Sequence, residues 1–389
     1  MMLDEIYKQK VLEVCQRLIR AKSYSGKEQE VIAVLRNVFT EFGFSDIHVD
    51  TYGSITACLT GTRPGKTILM DAHIDTVEVT DADLWEFDPF DGATHQGRIY
   101  GRGASDMKGA LAAMIVGAVM FRDQTQGDFS GTIVISGTVH EECFEGVAAK
   151  EVAGHSRPDA VIIGEATELE IAYGQRGRAE IIVETNGKQC HSSKPENGIN
   201  AVYAMMDVAA KINSLENENN EHLGSSVLAL TDIISSPYPG ASVIPDRCRV
   251  TYDRRTLLDE TPESVLAPLQ ALIGDMGSAY ISRGKENCYT GATIESMRFF
   301  PAWLFDTHDW HIEAAAKGLQ HTGLDVSYRT YSFCTNGSYF AGHAGIPTLG
   351  FGPSRESLAH VRDEYIEITQ IHGAVLGYTG ILRGLLHDA

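Results

Sequence analysis

Short apolar runs of β-strand length alternate along the first half of the chain with longer segments whose apolar residues recur at helical spacing. Residues 68–70, 132–139 and 161–163 are such short runs, and each has the length expected of a buried strand. Residues 107–121, between the first two runs, are rich in alanine and are predicted to pack as a helix on the sheet. This order predicts an α/β fold.

The first forty residues carry two amphipathic patterns that predict two helices. The second pattern is preceded by Ser25-Gly26-Lys27-Glu28, which fits a capping box.

The pattern changes after residues 174–177, and the next segment predicts an inserted α+β module. We expect its strands and helices at 179–184, 198–212, 227–234, 247–252, 263–273 and 292–298. From about Phe299 the chain is predicted to return to the first domain, with helices at 308–321 and 365–386 around a strand at 347–351. The predicted domains are therefore residues 1–177 with 299–389, and residues 178–298.

Length and composition fit a soluble protein of two domains. A chain of 389 residues exceeds the size at which one hydrophobic core stops growing. The formal charge of -20 would repel nucleic acid and anionic membranes, so neither is an expected partner. The N-terminus lacks the uninterrupted apolar stretch of a secretory signal, which predicts a cytoplasmic protein. The seven cysteines include no Cys-x-x-Cys pair, so a thiolate zinc site is not indicated.

A candidate metal ligand and its candidate partner lie at the end of the first predicted strand. His73 and Asp75 are two residues apart, so their side chains point to the same side of an extended chain. A neutral imidazole binds zinc, and a carboxylate that accepts its other N–H fixes the tautomer. Asp75 is the candidate for that partner. Taken alone, the motif is more typical of a hydrogen-bonded turn histidine.

A glycine-rich loop, Gly101-Arg102-Gly103-Ala104-Ser105-Asp106-Met107-Lys108-Gly109, precedes the alanine-rich helix. Its carboxylate, Asp106, could bridge two metal ions or could serve only as a helix N-cap. The loop is not a phosphate loop, because the Gly-Lys-Ser/Thr ending is missing.

Three further segments with candidate residues follow apolar runs. Glu141 and Glu142 are adjacent beyond one strand, where two carboxylates would be costly to bury without cations or hydrogen bonds. Glu165 directly follows the third run, and His360 comes late in the chain after Phe351-Gly352-Pro353. A solvated acidic loop and ordinary polar residues at strand ends are the alternatives.

Together these motifs resemble the dinuclear metallohydrolases that include acetylornithine deacetylase, succinyl-diaminopimelate desuccinylase, aminoacylase and glutamate carboxypeptidase. The resemblance covers nearly the full chain. It rests on His-x-Asp at 73–75, Gly-x-Gly-x-x-Asp-x-Lys-Gly at 101–109, the Glu pair at 141–142, Glu165 and His360.

The resemblance implies a catalytic domain with a mixed, mostly parallel sheet flanked by helices, which holds two divalent ions, zinc or else cobalt or manganese. Asp106 would bridge them, with His73 and Glu165 on one ion and Glu142 and His360 on the other. Glu141 would be the general base. The family also has a non-proline cis peptide bond at the position of Asp106-Met107.

The inserted module resembles the family's lid domain, which forms a homodimer. His191, in the segment 187–193, would reach the partner subunit's active site and polarise the scissile carbonyl. Arg254 or Arg255 would pair with a substrate carboxylate. Ser242 departs from the asparagine usual in the family, which leaves the substrate contacts there open.

The expected reaction is hydrolysis of an amide bond in a small N-acylated amino acid or related compound. The family pattern has Asp or Glu at position 165, and Glu favours a desuccinylase, acylase or carboxypeptidase over a deacetylase. The alternatives within the family are a dipeptidase, a carboxypeptidase and an N-carbamoyl amino acid hydrolase. A catalytically silent ligand-binding protein is the alternative from another class, and the intact ligand set argues against it.

Overall fold

Four parallel strands form the centre of a large mixed β-sheet in the computed structural model, which describes residues 2–386. In spatial order they are Ser130–Thr138, Arg63–His73, Ala160–Ile163 and Thr348–Gly350. One edge is extended by the antiparallel strands Ile55–Thr60 and Ser45–Val49, and the other by Ile171–Gln175, Trp303–Leu304 and Tyr328–Tyr331. The predicted α/β fold with a mostly parallel central sheet is confirmed.

The central strands end in step with one another. His73 pairs in register with Thr138, and Asp71 pairs with Ile163. Because the carboxyl ends of parallel strands meet at one edge of a sheet, the residues that follow them emerge side by side.

Helices lie near both ends of the chain and on both faces of this sheet. In helix α3 (Gly109–Thr125), every residue from Gly109 to Phe121 is buried. It contacts α1 (Glu5–Arg20) and the C-terminal helix, Ile368–Leu386. The remaining helices beside the large sheet are α2 (Gln29–Glu41), Ala149–Ser156 and Trp310–Thr322.

The capping box predicted ahead of α2 is wrong. The Ser25 hydroxyl donates to Asp75 Oδ2 at 2.7 Å, and α2 begins only at Gln29, without a side-chain hydrogen bond at its N-cap. Glu28 accepts instead from the Gly26 N–H at 2.7 Å and is itself the N-cap residue. A tertiary contact fifty residues away has replaced the local one.

A second, antiparallel sheet has its own core. Its strands are, in order, Val227–Ser236, Arg247–Thr256, Gly177–Asn186 and Gly277–Ile281, with Phe299–Phe300 also paired to Gly177–Asn186. Helices Ala201–Ile212 and Pro262–Ile273 pack on it, and Val183, Met205 and Leu269 lie in the buried cluster between them. The expected α+β module is therefore present beside the α/β layer.

The hairpin of Arg283–Asn287 and Thr293–Met297 lies against the large sheet and its helices. Cys288 and Ile294 belong to the large hydrophobic core, and the Tyr289 hydroxyl donates to the Gly53 carbonyl at 2.9 Å. The domain boundaries at 177/178 and 298/299 stay a prediction. Met1 and residues 387–389 of the predicted first domain lie outside the described residues.

The remaining short strands form three small sheets. They pair Cys190–His191 with Val243–Ile244, Asn219–Asn220 with Gly224–Ser225, and Arg98–Tyr100 with both Thr94–His95 and Tyr365–Glu367.

One helical segment among the described residues has the length and hydropathy of a membrane span. It runs from Ala104 to Thr125, and 94% of its most apolar 18-residue stretch is buried inside the fold. That burial is typical of the core helix of a soluble protein. The cytoplasmic location stays a prediction.

Candidate metal centre

The carboxyl edge of the central strands gathers the predicted ligands. His73 is the last residue of its strand, and Glu165 follows the neighbouring strand by two residues. Glu141 and Glu142 follow Ser130–Thr138 on the other side. His73, Glu141 and Glu165 are buried, because the ends of these strands are covered by the surrounding loops.

Asp106 lies between the two histidines, with one carboxylate oxygen toward each. Its Oδ1 is 2.8 Å from His73 Nε2, and its Oδ2 is 3.1 Å from His360 Nε2. Glu165 Oε1 is 3.6 Å from His73 Nε2, whereas Glu142 Oε2 is 3.0 Å from His360 Nε2. Asp106 thus contacts both histidines, with Glu165 beside His73 and Glu142 beside His360.

The loop that carries Asp106 depends on two glycines with positive φ. A Cβ on Gly101 (φ 152°) would lie 2.5 Å from Ile19 Cγ2, and one on Gly103 (φ 84°) would lie 2.9 Å from Thr76 Cγ2. These approaches explain why the loop needs residues without side chains. Asp106 is not an N-cap, since α3 begins at Gly109 and the Asp106-Met107 peptide bond, which is cis, separates it from the helix.

Asp75 supports the site in a different way from the predicted one. His73 Nδ1 lies 2.9 Å from the main-chain carbonyl of Asp75, and 3.7 Å from its carboxylate. The carboxylate accepts from the main-chain N–H groups of Glu141 at 3.0 Å and Glu142 at 3.2 Å. Asp75 therefore holds the loop of the two glutamates, and the tautomer of His73 is set by a carbonyl.

The electrostatics of the cluster fit bound cations. Burial, followed by the charge of Asp106, raises the pKa of Glu165 to about 8, and burial raises the pKa of Glu141 well above its ordinary value. Although burial opposes protonation of His73, its hydrogen bond to Asp106 and the neighbouring carboxylates hold its pKa well above the usual range.

One oxygen of Glu141, Oε1, is buried without a hydrogen-bond partner among the described residues. Crowded carboxylates and an unpartnered buried oxygen are costly unless divalent cations compensate them. Imidazole nitrogen and carboxylate oxygen are also the donors that zinc and related ions prefer.

A cavity of about 270 Å³ opens onto this cluster. Besides four of the predicted ligands and Glu141, its lining comprises Glu145, Arg178, Arg255, Phe333 and Cys334. A neighbouring cavity of about 290 Å³ shares Asp106, Glu165, His360, Arg255 and Phe333 with it, and Glu356 also lines it. Arg255 is therefore the arginine common to both.

Two carboxylates fix the guanidinium groups in this wall. Asp253 accepts from Arg178 Nε through one oxygen and from Arg255 Nε through the other, both at 2.8 Å. Arg178 Nη1 donates to Glu145 Oε1 at 2.6 Å. Arg178 is thus paired with two protein carboxylates, whereas Arg255, which lines both cavities, is paired with Asp253 alone among the described residues.

Arg178, Glu145, Phe333 and Cys334 were not among the predicted site residues. Arg178 is one residue beyond the motif 174–177 and Glu145 lies three residues beyond Glu142, so proximity to motifs was the available signal for these two. Phe333 and Cys334 follow the strand Tyr328–Tyr331, which joins the large sheet from a distant part of the chain. No local pattern marks them.

Two predicted residues lie away from these cavities. Arg254 points to the opposite side of its strand, where its Nε is 3.1 Å from Glu260 Oε1 and it lines a separate cavity of the second sheet. His191 is exposed on the short strand Cys190–His191, and its Nδ1 lies 2.8 Å from the Ser193 hydroxyl. Within residues 2–386 it does not contribute to the lining of either cavity beside the metal centre.

Comparison with known proteins identifies relatives over nearly the whole chain. The family described as "Peptidase family M20/M25/M40" matches residues 69–383. The uncharacterized protein YgeY of Escherichia coli K12 is 30% identical over 355 residues, which are 89% of this chain and 87% of YgeY. Succinyl-diaminopimelate desuccinylase 2 of Ruegeria sp. TM1040 is 27% identical over 387 residues, covering 96% of this chain and 94% of that enzyme.

The fold is shared with solved structures. Aminopeptidase PepT of Bacillus cereus superposes with a TM-score of 0.75 at 19% identity, over 97% of this chain and 98% of PepT. The resemblance predicted from the motifs is confirmed, as is the fold class.

Proposed function

Because this chain belongs to peptidase family M20/M25/M40, and is thus a metal-dependent hydrolase, we propose that it hydrolyses an amide bond in a small N-acylated amino acid or a closely related compound. The observation that supports this reaction is the position of Arg255, which lines both cavities beside the cluster of His73, Asp106 and Glu142. A guanidinium at that position can bind a carboxylate with two hydrogen bonds. The desuccinylase relative acts on a compound of this class.

The proposed ligands of two divalent ions are the two groups described above, with Asp106 common to both. His73 and Glu165 form one group, and Glu142 and His360 form the other. When bound, such a pair of ions supplies an activated water at neutral pH and polarises the scissile carbonyl.

Glu141 is the proposed general base. Its carboxylate lies beside both groups, with Oε2 at 4.0 Å from His73 Nε2, and Asp75 fixes its main chain. Burial raises its pKa, which brings the carboxylate closer to the affinity for protons that a base needs near neutral pH. It would take the proton of the attacking water and deliver it to the leaving amine.

His191 is proposed to act from a second copy of the chain. Its exposure, and its position outside both cavities of its own chain, are what a donor to a partner's active site requires. Tyr203, Met206 and Ile233, on the same module, are large apolar residues with 68%, 60% and 54% exposure. An apolar surface of this kind favours a homodimer formed through the module.

A substrate panel tests the proposed reaction. N-acetyl, N-succinyl and N-carbamoyl amino acids and dipeptides would be assayed with Zn, Co or Mn added, and with the Glu141→Gln protein as the control for contaminating hydrolases. We expect turnover of one or more N-acylated amino acids. Turnover of dipeptides alone, or of none of these compounds, would contradict the proposal.

A further inference from the structure

Glu364 connects two segments of the metal centre that are far apart in sequence. It lies four residues after His360 and is fully buried. Its Oε1 accepts from the main-chain N–H of Ser105 at 2.8 Å and from that of Asp106 at 3.1 Å. A side chain from the loop of one predicted ligand thus holds the main chain of another.

The second oxygen of Glu364 is occupied by a buried cation. Arg102 Nη1 donates to Oε2 at 2.6 Å, and Arg102 is only 5% exposed. Arg102 also belongs to the glycine-rich loop of Asp106, so both oxygens of Glu364 bind the same loop.

The main chains of the two segments are joined as well. The Gly101 N–H donates to the Glu364 carbonyl at 2.9 Å. Directly after Glu364, the strand Tyr365–Glu367 pairs with Arg98–Tyr100, which leads into the loop of Asp106. These contacts leave the loop little freedom to move relative to His360.

We infer that Glu364 is a positioning residue, whose carboxylate sets the distance of Asp106 from His360 and thereby the spacing of the two proposed metal positions. The inference rests on the proposed metal centre. Asp106 is the residue whose displacement matters most, since its two oxygens face His73 at 2.8 Å and His360 at 3.1 Å. A shift of its main chain would lengthen one contact or the other.

The test is metal binding by the Glu364→Gln variant. Glutamine has the same size, but its NH₂ group must face either Arg102 or the two main-chain N–H groups, so one of the two contacts is lost. Loss of a residue that orients metal ligands typically lowers metal affinity about 10- to 100-fold. We expect a loss of this size for at least one of the two ions, measured by competition with a chromophoric chelator and by elemental analysis after dialysis, together with recovery of activity in excess metal.

Glu367→Gln is the matched control. Glu367 ends the short strand that follows Glu364, but its carboxylate is 38% exposed and lies 3.7 Å from Arg355 and 3.9 Å from Arg98, so its variant should bind metal like the parent. If Glu364→Gln does not fold, Arg102→Lys provides a second variant. It keeps the charge but removes the planar group that reaches Oε2, and a smaller loss of affinity is expected.

Unchanged affinity for both ions in Glu364→Gln, or in a folded Arg102→Lys when the first variant is unfolded, would overturn the inference. A loss that is equal in Glu364→Gln and Glu367→Gln would do the same. Failure of the proposed metal centre has a separate signature, because the parent protein itself would then bind no divalent ion, and failure of the proposed reaction would show in the substrate panel of the parent.

Discussion

The carboxylate of Asp75 accepts a hydrogen bond from the main-chain N–H of Glu141, with 3.0 Å between Oδ1 and nitrogen. Asp75 follows the strand that ends at His73, and Glu141 follows the neighbouring strand. The contact therefore fixes the proposed base relative to a proposed ligand. Asp75 therefore acts on the proposed base through the main chain of Glu141.

Asp75→Asn should weaken this support without changing the volume of the side chain. The amide has one acceptor oxygen, so it cannot accept at the same time from the N–H groups of Glu141 and Glu142 and from the Ser25 hydroxyl. We expect kcat to fall about 10- to 100-fold with little change in KM, measured by steady-state kinetics. Asp159→Asn is the control, because Asp159 also accepts from a strand N–H, that of Thr67 at 2.7 Å, but at the opposite end of the sheet.

Glu141→Gln should separate metal binding from turnover. The proposed ligands do not include Glu141, so the variant is expected to retain its metal content, measured by elemental analysis. Loss of a general base typically costs about 10²- to 10⁴-fold in kcat. Normal turnover by this variant would eliminate Glu141 as the base, and Glu151→Gln, on the exposed side of Ala149–Ser156, serves as the control.

Arg255→Met and Arg254→Met form a matched pair of neighbouring substitutions. Arg255 lines both cavities, whereas Arg254 is paired with Glu260 on the other side of the strand. A hydrogen-bonded contact to a charged group is worth about 1.5–3 kcal/mol, which corresponds to roughly a 10- to 100-fold rise in KM for a substrate with a carboxylate. Equal effects of the two substitutions would refute the proposed carboxylate contact.

Removal of metal should make stability depend on pH in a defined direction. The pKa of Glu165 is raised from 4.5 to about 8, mainly by burial, and that of His360 is raised to about 10 by its hydrogen bonds to Asp106 and Glu142. Both shifts mean that the folded protein binds more protons than the unfolded chain, so the free energy of unfolding falls as pH rises.

Thermal unfolding in the presence of a chelator should therefore show a falling Tm between about pH 6.5 and about pH 8, the interval in which both groups contribute. Divalent metal should restore most stability at the upper end of this interval. A Tm of the metal-free protein that rises over the same interval would contradict this prediction.

The sequence predicts the central strands and the side chains at their ends because both leave local signals. Apolar runs mark the strands that precede His73 and Glu165, and parallel pairing then brings their carboxyl ends together. The glycines before Asp106 mark a loop that no other residue type would allow. These signals require no knowledge of the tertiary structure.

The residues that were missed or misassigned depend on partners that are distant in sequence. The Ser25 hydroxyl binds Asp75 and not the helix that follows it, and no local pattern distinguishes the two outcomes. Phe333 and Cys334 reach the cavity through a strand that joins the sheet late in the chain. Arg254 and Arg255 are adjacent in sequence, and only the direction of each side chain in the folded strand distinguishes the one that lines the cavities.

Asp253 gives its two oxygens to two different arginines, Arg178 and Arg255. An anionic ligand that approaches Arg255 therefore meets a guanidinium that is already partly neutralised from behind. Such a guanidinium is expected to hold an anion less tightly than an unpaired one would, because the negative charge of Asp253 repels the anion. The shared carboxylate thus favours exchange of a bound anion over its retention.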